Sequence, residues 1–371
     1  MKIGIVCPYS LAKSGGVQNQ VAAQAAELRR RGHTVRVITP RPQGYPPEPP
    51  EDTIFIGQSA RIRTPQHTSA DVSGPVNAEV IDQMLSREQF DVLHLHEPLI
   101  PMLALQILNR AACPAVGTFH AALPDTFLAQ IIAGSIGPYK RSIFKKLPAM
   151  TAVAVAATSY LGDGVDRERL RIIPNGIQLA EFRMQAERDP GTVLYVGRLE
   201  KRKGVRYLLE AWAVLQKELP EAKLVLLGDG PERAMLEGRV RQLKLREVTF
   251  LGQASDEVKR EQLARCTVFT APALYGESFG IVLLEAMAAG AVTVAGANPG
   301  YEAVLTGTGR LSLVDPKATA AYARRLALLM TDQKLRHVWQ EWAAATAPQY
   351  DFAVVVDQYE ALYRELVPES G

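Results

Sequence analysis

Residues 185–204 read QAERDPGTVLYVGRLEKRKG, and this stretch divides the chain. Its first third, Gln185–Gly191, is charged and carries a proline, the composition of a linker. Thr192–Gly197 is an apolar, β-branched run that reads as a strand. The basic segment Arg198–Lys203 follows, and Gly204 opens a helical pattern that runs to Glu218. A strand handing over to a helix through a glycine-bearing loop is the unit of a parallel α/β sheet.

Working outward, the same alternation extends both ways. Downstream, strands are expected at Lys223–Gly228, Val248–Gly252, Val268–Pro272 and Ala291–Ala295. Helices are expected between them at Glu232–Leu243, Asp256–Ala264 and Phe279–Ala289, and the chain is helical from Thr319 onward. Upstream, strands are expected at Ile3–Cys7, Thr34–Ile38, Val92–His96 and Ala115–Phe119. Helices there are Val17–Arg31, Asn77–Arg87, Met102–Ala111 and a long region at Pro124–Leu147, with a proline-rich loop at Pro40–Pro50. Two consecutive α/β series in 371 residues predict two Rossmann-like domains facing each other across a deep cleft, with a ligand at the strand carboxyl ends.

Composition narrows the function. Apolar residues are 47% and charged residues 22%, as in an ordinary globular protein, and a net charge of +3 does not make nucleic acid the expected partner. The three scattered cysteines, Cys7, Cys113 and Cys266, fit buried thiols in a reducing compartment better than a disulfide framework. The first residues read as a strand rather than a secretory leader, and no apolar run reaches the ~18 residues of a bilayer span. A cytoplasmic chain is therefore expected, with membrane contact at most peripheral.

The densest motif is GESFGIVLLE, Gly276–Glu285, which opens a helix ending at Gly290. With Ser278 as N-cap, the backbone N–H groups of Phe279, Gly280 and Ile281 would face a diphosphate at the positive helix end. Glu277 precedes the helix and suits sugar hydroxyls, while Glu285, two turns in, suits a ribose diol. Arg198 and Lys203 lie at a strand end and a helix start, where two cations would neutralise a leaving diphosphate. Gly228-Asp229-Gly230 brings backbone close to a nucleotide but lacks the third glycine of a dinucleotide fingerprint, which argues against a nicotinamide cofactor. Gly252, Ala254 and Lys259 form another strand-end group.

In the first half, Tyr9 follows the first strand, and Gly15, Gly16 and Gln18 begin the first helix. Glycines there admit a ligand to the backbone, and the helix start favours an anion. His120 ends a strand, where chemistry belongs in such sheets. His94 and His96 point to one strand face, but a third and a fourth ligand are missing, so no metal site is expected.

These motifs resemble the retaining GT-B glycosyltransferases of family 4, whose hallmark is two glutamates eight apart, matched by Glu277 and Glu285. The resemblance spans nearly the whole chain. It implies that Glu277 contacts donor-sugar hydroxyls, Glu285 the ribose, and Arg198 with Lys203 the diphosphate, while Gly252–Ala254 and Lys259 cup the base. Gly16 then lies beside the transferred sugar and His120 contacts it. The stretches IVCPYS at Ile5–Ser10, GGVQ at Gly15–Gln18 and FDVLHLHEP at Phe90–Pro98 are similar to phosphatidylinositol mannosyltransferases, peripheral membrane enzymes that use GDP-mannose. The resemblance implies an acceptor site at Tyr9, Gly15 and Gln18, with a nucleotide sugar as co-substrate, no tightly bound cofactor and no required divalent metal.

Two departures touch the acceptor. Ala121 and Asp125 stand where those enzymes carry Thr and Lys, and the helix Val76–Arg87 carries Glu79 and Asp82 in place of basic residues. A second basic stretch, Tyr139–Leu147, supplies Lys140, Arg141, Lys145 and Lys146 beside Ile143 and Phe144, a candidate contact with an anionic membrane surface. The expected domains are an acceptor domain of residues 1–171 plus 350–371, through a C-terminal helix that crosses back, and a donor domain of residues 172–349. Alternatives left open are a family-4 enzyme using a UDP-sugar or another lipid or soluble acceptor, and a silent sugar-nucleotide-binding protein. A storage-glucan phosphorylase or synthase is a weaker third, because the chain is short for one.

Overall fold

A computed structural model describes residues 1–12, 15–42, 51–63, 69–121, 136–159, 161–162, 165–184 and 186–367. The chain divides into two compact units, Met1–Gly176 with Phe352–Gly371, and Ile177–Asp351.

Among the described residues, the first unit is built on an eight-stranded sheet of order β4-β3-β2-β1-β5-β6-β7-β8. Its strands are β1 (Lys2–Val6), β2 (Thr34–Arg41), β3 (Thr53–Arg63), β4 (Ser69–Ser73), β5 (Val92–His96), β6 (Ala115–Phe119), β7 (Ala149–Ala152) and β8 (Leu170–Ile172). All neighbours pair in parallel except β3 with β4. The helices are α1 (Gly16–Arg30), α2 (Ala78–Glu88), α3 (Leu103–Leu108), α4 (Gly137–Lys146) and α5 (Val155–Thr158). Asn77 begins α2 by accepting from the Glu79 N–H, a cap that stabilises by about 1 kcal/mol.

Strand order reverses at β1, which has β2 on one side and β5 on the other. The loops leaving β1 and β5 therefore diverge at a topological switch point, the usual ligand position in such sheets. Two apolar layers form the core, one including Leu93, Leu95, Phe119 and Phe144, the other Ile3, Ile5, Val21 and Leu28.

The second unit repeats the plan with a six-stranded sheet, among the described residues, of order β11-β10-β9-β12-β13-β14. Its strands are β9 (Asp189–Val196), β10 (Lys223–Leu227), β11 (Val248–Gly252), β12 (Cys266–Ala271), β13 (Val292–Gly296) and β14 (Leu313–Val314). Its helices are α6 (Leu179–Phe182), α7 (Val205–Glu218), α8 (Arg233–Gln242), α9 (Asp256–Arg265), α10 (Ile281–Ala288), α11 (Pro299–Glu302), α12 (Thr319–Thr331) and α13 (Gln333–Thr346). Here the order reverses between β9 and β12. The final helix, α14 (Phe352–Leu366), belongs to the first unit and buries Val356, Tyr359 and Tyr363 in its second apolar layer.

Four expectations need correction. Strands β3 and β4 were not expected, because Thr53–Arg63 interleaves polar residues and shows no continuous apolar run. The expected linker Gln185–Gly191 is partly strand, since β9 starts at Asp189, whose carboxylate pairs with Arg265 and whose carbonyl accepts from Thr267. The helix of the glutamate motif starts at Ile281 with Gly280 as its cap, so Ser278 is not the N-cap. Finally, Lys140, Ile143 and Phe144 are buried within the first unit, leaving only Arg141, Lys145 and Lys146 of that patch exposed. Of the long helix expected at Pro124–Leu147, α4 is seen, while residues 124–135, Asp125 among them, lie outside the described residues.

Candidate functional site

In the second unit, the two loops at the switch point meet. The loop after β9 tightens into a short 3-10 turn at Lys201–Lys203, and the Arg202 carbonyl accepts from the Leu274 N–H of the loop after β12 at 2.8 Å. Gly204 makes the approach possible: its φ is +70°, and a Cβ would collide with the Pro272 carbonyl. The basic turn is thereby laid against Glu277.

Arg202 Nη1 and Lys203 Nζ each lie 2.7 Å from Glu277 Oε1. Arg202 also reaches Glu200 at 3.1 Å, and Glu200 holds Arg198 at 2.6 Å. The result is a charge chain, Arg198–Glu200–Arg202–Glu277–Lys203, exposed at Arg198 and largely buried from Glu200 onward. Burial pulls the Arg202 guanidinium down, but Glu277 and Glu200 outweigh it and hold the group above its usual range. The side chain of Arg198, 63% exposed, lies against Glu200, whereas Arg202 and Lys203 contact Glu277. Spacing alone could not make that distinction, because Arg202 sits inside an ordinary basic run.

The start of α10 completes this wall. Gly280 has φ +102° and packs against the buried ring of Tyr301, so a side chain there would meet both strain and collision. Phe279 is buried edge-to-face on Tyr350. The first N–H groups of α10 lack intrahelical partners, which makes this end attractive to an anion. Beside it, Glu285 is paired with Lys259 at 2.9 Å, and Lys259 also reaches Asp256 at 3.0 Å. Burial raises the Glu285 carboxyl, with Lys259 pulling the other way. Gly228 and Gly252 are joined by a 2.8 Å bond from the Gly228 N–H to the Gly252 carbonyl, and Ala254 and the Ser255 cap lead into α9. Glycine-lined strand ends, two clustered cations and two largely buried carboxylates are groups whose chemistry suits phosphate oxygens and hydroxyls.

In the first unit, β4 and β2 shape the loop after β1. The Ser10 N–H donates to the Asp71 carbonyl, the Ser73 N–H to the Pro8 carbonyl, and Thr39 Oγ1 to the Tyr9 carbonyl. Gly15 is the extended residue before α1, Gly16 is the first residue of that helix, and Gln18 folds back so that its Nε2 reaches the Ser10 carbonyl at 3.5 Å. Tyr9, Gly15, Gly16 and Gln18 thus line one loop system; Ser14 lies outside the described residues.

His120 follows β6 and is held by neighbours that sequence reading missed. Glu97, next after β5, accepts the His120 and Ala121 N–H groups on Oε1 at 2.7 and 2.6 Å. Glu97 is 3% exposed with φ +47°, and burial raises its carboxyl to about 7. His96 Nδ1 lies 2.8 Å from His120 Nε2, and burial lowers His120 to about 4, so its ring is neutral at pH 7. The one available signal was an acidic residue wedged between His96 and Pro98 at a strand end. Among the described residues, no group of three or more His, Cys, Asp or Glu is arranged to hold a metal ion, and no helix is long and apolar enough to cross a membrane.

The model of glycosyl transferases group 1 matches residues 178–346, and that of Glycosyltransferase Family 4 matches residues 14–181. The chain is 33% identical to a phosphatidyl-myo-inositol mannosyltransferase of Mycobacterium tuberculosis, over all of this chain and 98% of the relative. Among solved structures it is similar to sucrose-phosphate synthase from Thermosynechococcus elongatus, with a TM-score of 0.77, 21% identity and 98% of each chain covered. It is similar also to Anabaena HepE in complex with UDP and glucose, with a TM-score of 0.76 and 18% identity over 99% of this chain and 100% of that one.

Proposed function

We propose a specific transfer for this chain, which belongs to the family-4 glycosyltransferases of GT-B fold and is a nucleotide-sugar-dependent hexosyltransferase: mannose passes from GDP-mannose to phosphatidylinositol or a related glycolipid, with retention at the anomeric carbon. The observation that carries this reading is the Arg202–Glu277–Lys203 cluster at the second unit's switch point, together with full-length similarity to mannosyltransferases.

The second unit is the donor half. In the free protein Glu277 neutralises Arg202 and Lys203; a bound diphosphate takes over that task, and Glu277 turns its acceptor oxygens to sugar hydroxyls. Arg198, exposed and long, swings from Glu200 to the same phosphates. Glu285, oriented by Lys259, accepts from the ribose diol. The bond from the anomeric carbon to the phosphate oxygen breaks, and the cations with the α10 start absorb the charge left on the diphosphate. The acceptor oxygen bonds to the same face of that carbon, and its proton passes to the departing phosphate, so no protein nucleophile is required. The first unit is the acceptor half, with Tyr9, Gly15 and Gln18 at the polyol, Gly16 beside the sugar and His120 as a neutral hydrogen-bonding group. Exposed Arg141, Lys145 and Lys146 support peripheral contact with an anionic membrane through charge alone.

Calorimetry with GDP and UDP, followed by transfer assays on phosphatidylinositol and on soluble inositol, tests the proposal. Tight GDP binding with mannosyl transfer to the lipid is expected. UDP binding without GDP binding would overturn the donor, and transfer only to soluble inositol would overturn the acceptor.

A further inference from the structure

Among the described residues, Tyr275 is the one exposed aromatic side chain, at 49%. It stands two positions before Glu277, in the loop between β12 and α10. Its ring has no hydrogen bond or ring contact among the described residues. A lone exposed ring on a slack loop would call for no explanation. This loop is tied on both sides of it.

The Leu274 N–H donates to the Arg202 carbonyl at 2.8 Å, and Arg202 Nη1 donates to the Gly276 carbonyl at 3.3 Å. One residue of the basic turn therefore holds both neighbours of Tyr275. A step further out, the buried Asn298 amide donates to the Ala273 carbonyl at 3.1 Å, and the Glu277 carboxylate is held by Arg202 and Lys203. Gly276 turns the chain between Tyr275 and Glu277 with φ +73°, a conformation that favours glycine. The backbone is thus pinned from residue 273 to 277 while the ring at 275 faces solvent. An aromatic ring presented from a pinned backbone has only its two side-chain torsions to lose when a ligand covers it.

The neighbouring groups define that ligand. Arg202, Lys203 and Glu277 are charged and suit phosphate oxygens and hydroxyls. A pyranose ring carries hydroxyls around its edge and C–H groups on its faces, so a sugar held by Glu277 at its edge still has an apolar face to cover. Phe279, the other aromatic of this loop, is buried against Tyr350 and is not available for it. We propose that Tyr275 is a specificity-determining residue of the donor site: its ring packs on a C–H face of the hexose while Glu277 takes the hydroxyls. This rests on the donor reading above and adds to it a residue that senses the sugar and not the nucleotide.

The test is calorimetry on the full chain, comparing a nucleoside diphosphate with the same diphosphate carrying its hexose. GDP and GDP-mannose are used first, and UDP and UDP-glucose if those bind instead. Tyr275→Ala should weaken the nucleotide sugar about three- to tenfold, the scale of one aromatic contact, and leave the free diphosphate within twofold. Tyr275→Phe, which removes only the hydroxyl, should keep the wild-type ratio. In proton NMR of the bound nucleotide sugar, hexose C–H resonances should be shifted upfield by the ring in wild type and Tyr275→Phe, and not in Tyr275→Ala. Equal weakening of both ligands would make Tyr275 a nucleotide contact, and Tyr275→Phe behaving as Tyr275→Ala would make it a hydroxyl donor. Either result overturns the proposal, as does a rise confined to the acceptor KM. Absence of the upfield shift in wild type overturns it even if a variant does not fold. If no nucleotide sugar binds, the donor reading fails and the proposal with it, whereas binding with a ratio untouched by Tyr275→Ala overturns the proposal alone.

Discussion

The two units use the same switch-point architecture for opposite electrostatics. In the second unit the strand ends carry ionised groups, Arg202 and Lys203 on Glu277 and Lys259 on Glu285. In the first unit the corresponding position is packed with buried polar groups: burial lowers His94 to about 3 and His120 to about 4, and raises Glu97 to about 7. Paired charges on side chains only 11–18% exposed can exchange that partner for a charged ligand. Buried polar groups instead fix geometry through hydrogen bonds that have little water to compete with them.

The sharpest way to break this contrast is Glu277→Gln. It should lower kcat/KM by about 10²–10³, the scale of losing one aimed polar contact in a transition state. Steady-state transfer checked against the thermal midpoint would show it, and an unchanged rate would remove Glu277 from the donor site.

Next comes Glu97→Gln, read as stability against pH. A carboxyl raised from its ordinary 4.5 to about 7 contributes stability that is fully present below pH 4.5 and lost as pH rises through 7. His94 and His120, lowered to about 3 and 4, have the opposite sign: their contribution is present above about 6.5 and lost as pH falls through those values. In the native protein the two slopes oppose each other between pH 4.5 and 6.5. Glu97→Gln should remove the Glu97 slope, worth at most about 3 kcal/mol, so that stability by urea denaturation climbs more steeply from pH 4.5 to 7. Parallel pH profiles for both proteins would refute the raised Glu97 carboxyl.

Smaller again is the contrast between two arginines in one basic run. Arg202→Ala strips a partner from two carboxylates and should cost about 2–3 kcal/mol in free-protein stability. Arg198→Ala, at an exposed position, should stay within about 0.5 kcal/mol, so any loss of GDP affinity it causes reports ligand contact alone. Smallest in stability is the triple change Arg141→Gln, Lys145→Gln, Lys146→Gln, expected within about 0.5 kcal/mol, with weaker sedimentation on anionic vesicles. Unchanged sedimentation would retire the patch.

How much of this was legible depends on what kind of interaction carries it. The β/α alternation was readable because buried parallel strands such as Leu224–Leu227, with only Val225 partly exposed, and the fully buried Val292–Ala295 are near-continuous apolar runs. Strands β3 and β4 were not, because Thr53–Arg63 interleaves Gly57, Gln58, Ser59 and Arg61 with its apolar residues. The basic stretch misled for a related reason: helical spacing groups Lys140 with Phe144, but only packing reveals that this face turns inward. The Ser278 cap was plausible by residue type and was displaced because Gly280, in a left-handed conformation, sets where α10 begins.

The sequence by itself determined the two α/β series, the family, and the glutamate motif with its basic partner loop, since each is written in local periodicity or in a contiguous string. Only the tertiary structure decided that Arg202 and Lys203, and not the Arg198 side chain, contact Glu277 in the free protein. It alone showed that His96 and Glu97, adjacent at the end of β5, meet His120, which lies 23 residues beyond Glu97 in the chain. The physical reason is range. Strand and helix patterns are set by neighbours a few residues apart, whereas the partner of a buried polar group is whatever the fold brings within about 3 Å of it, and that distance is set by packing.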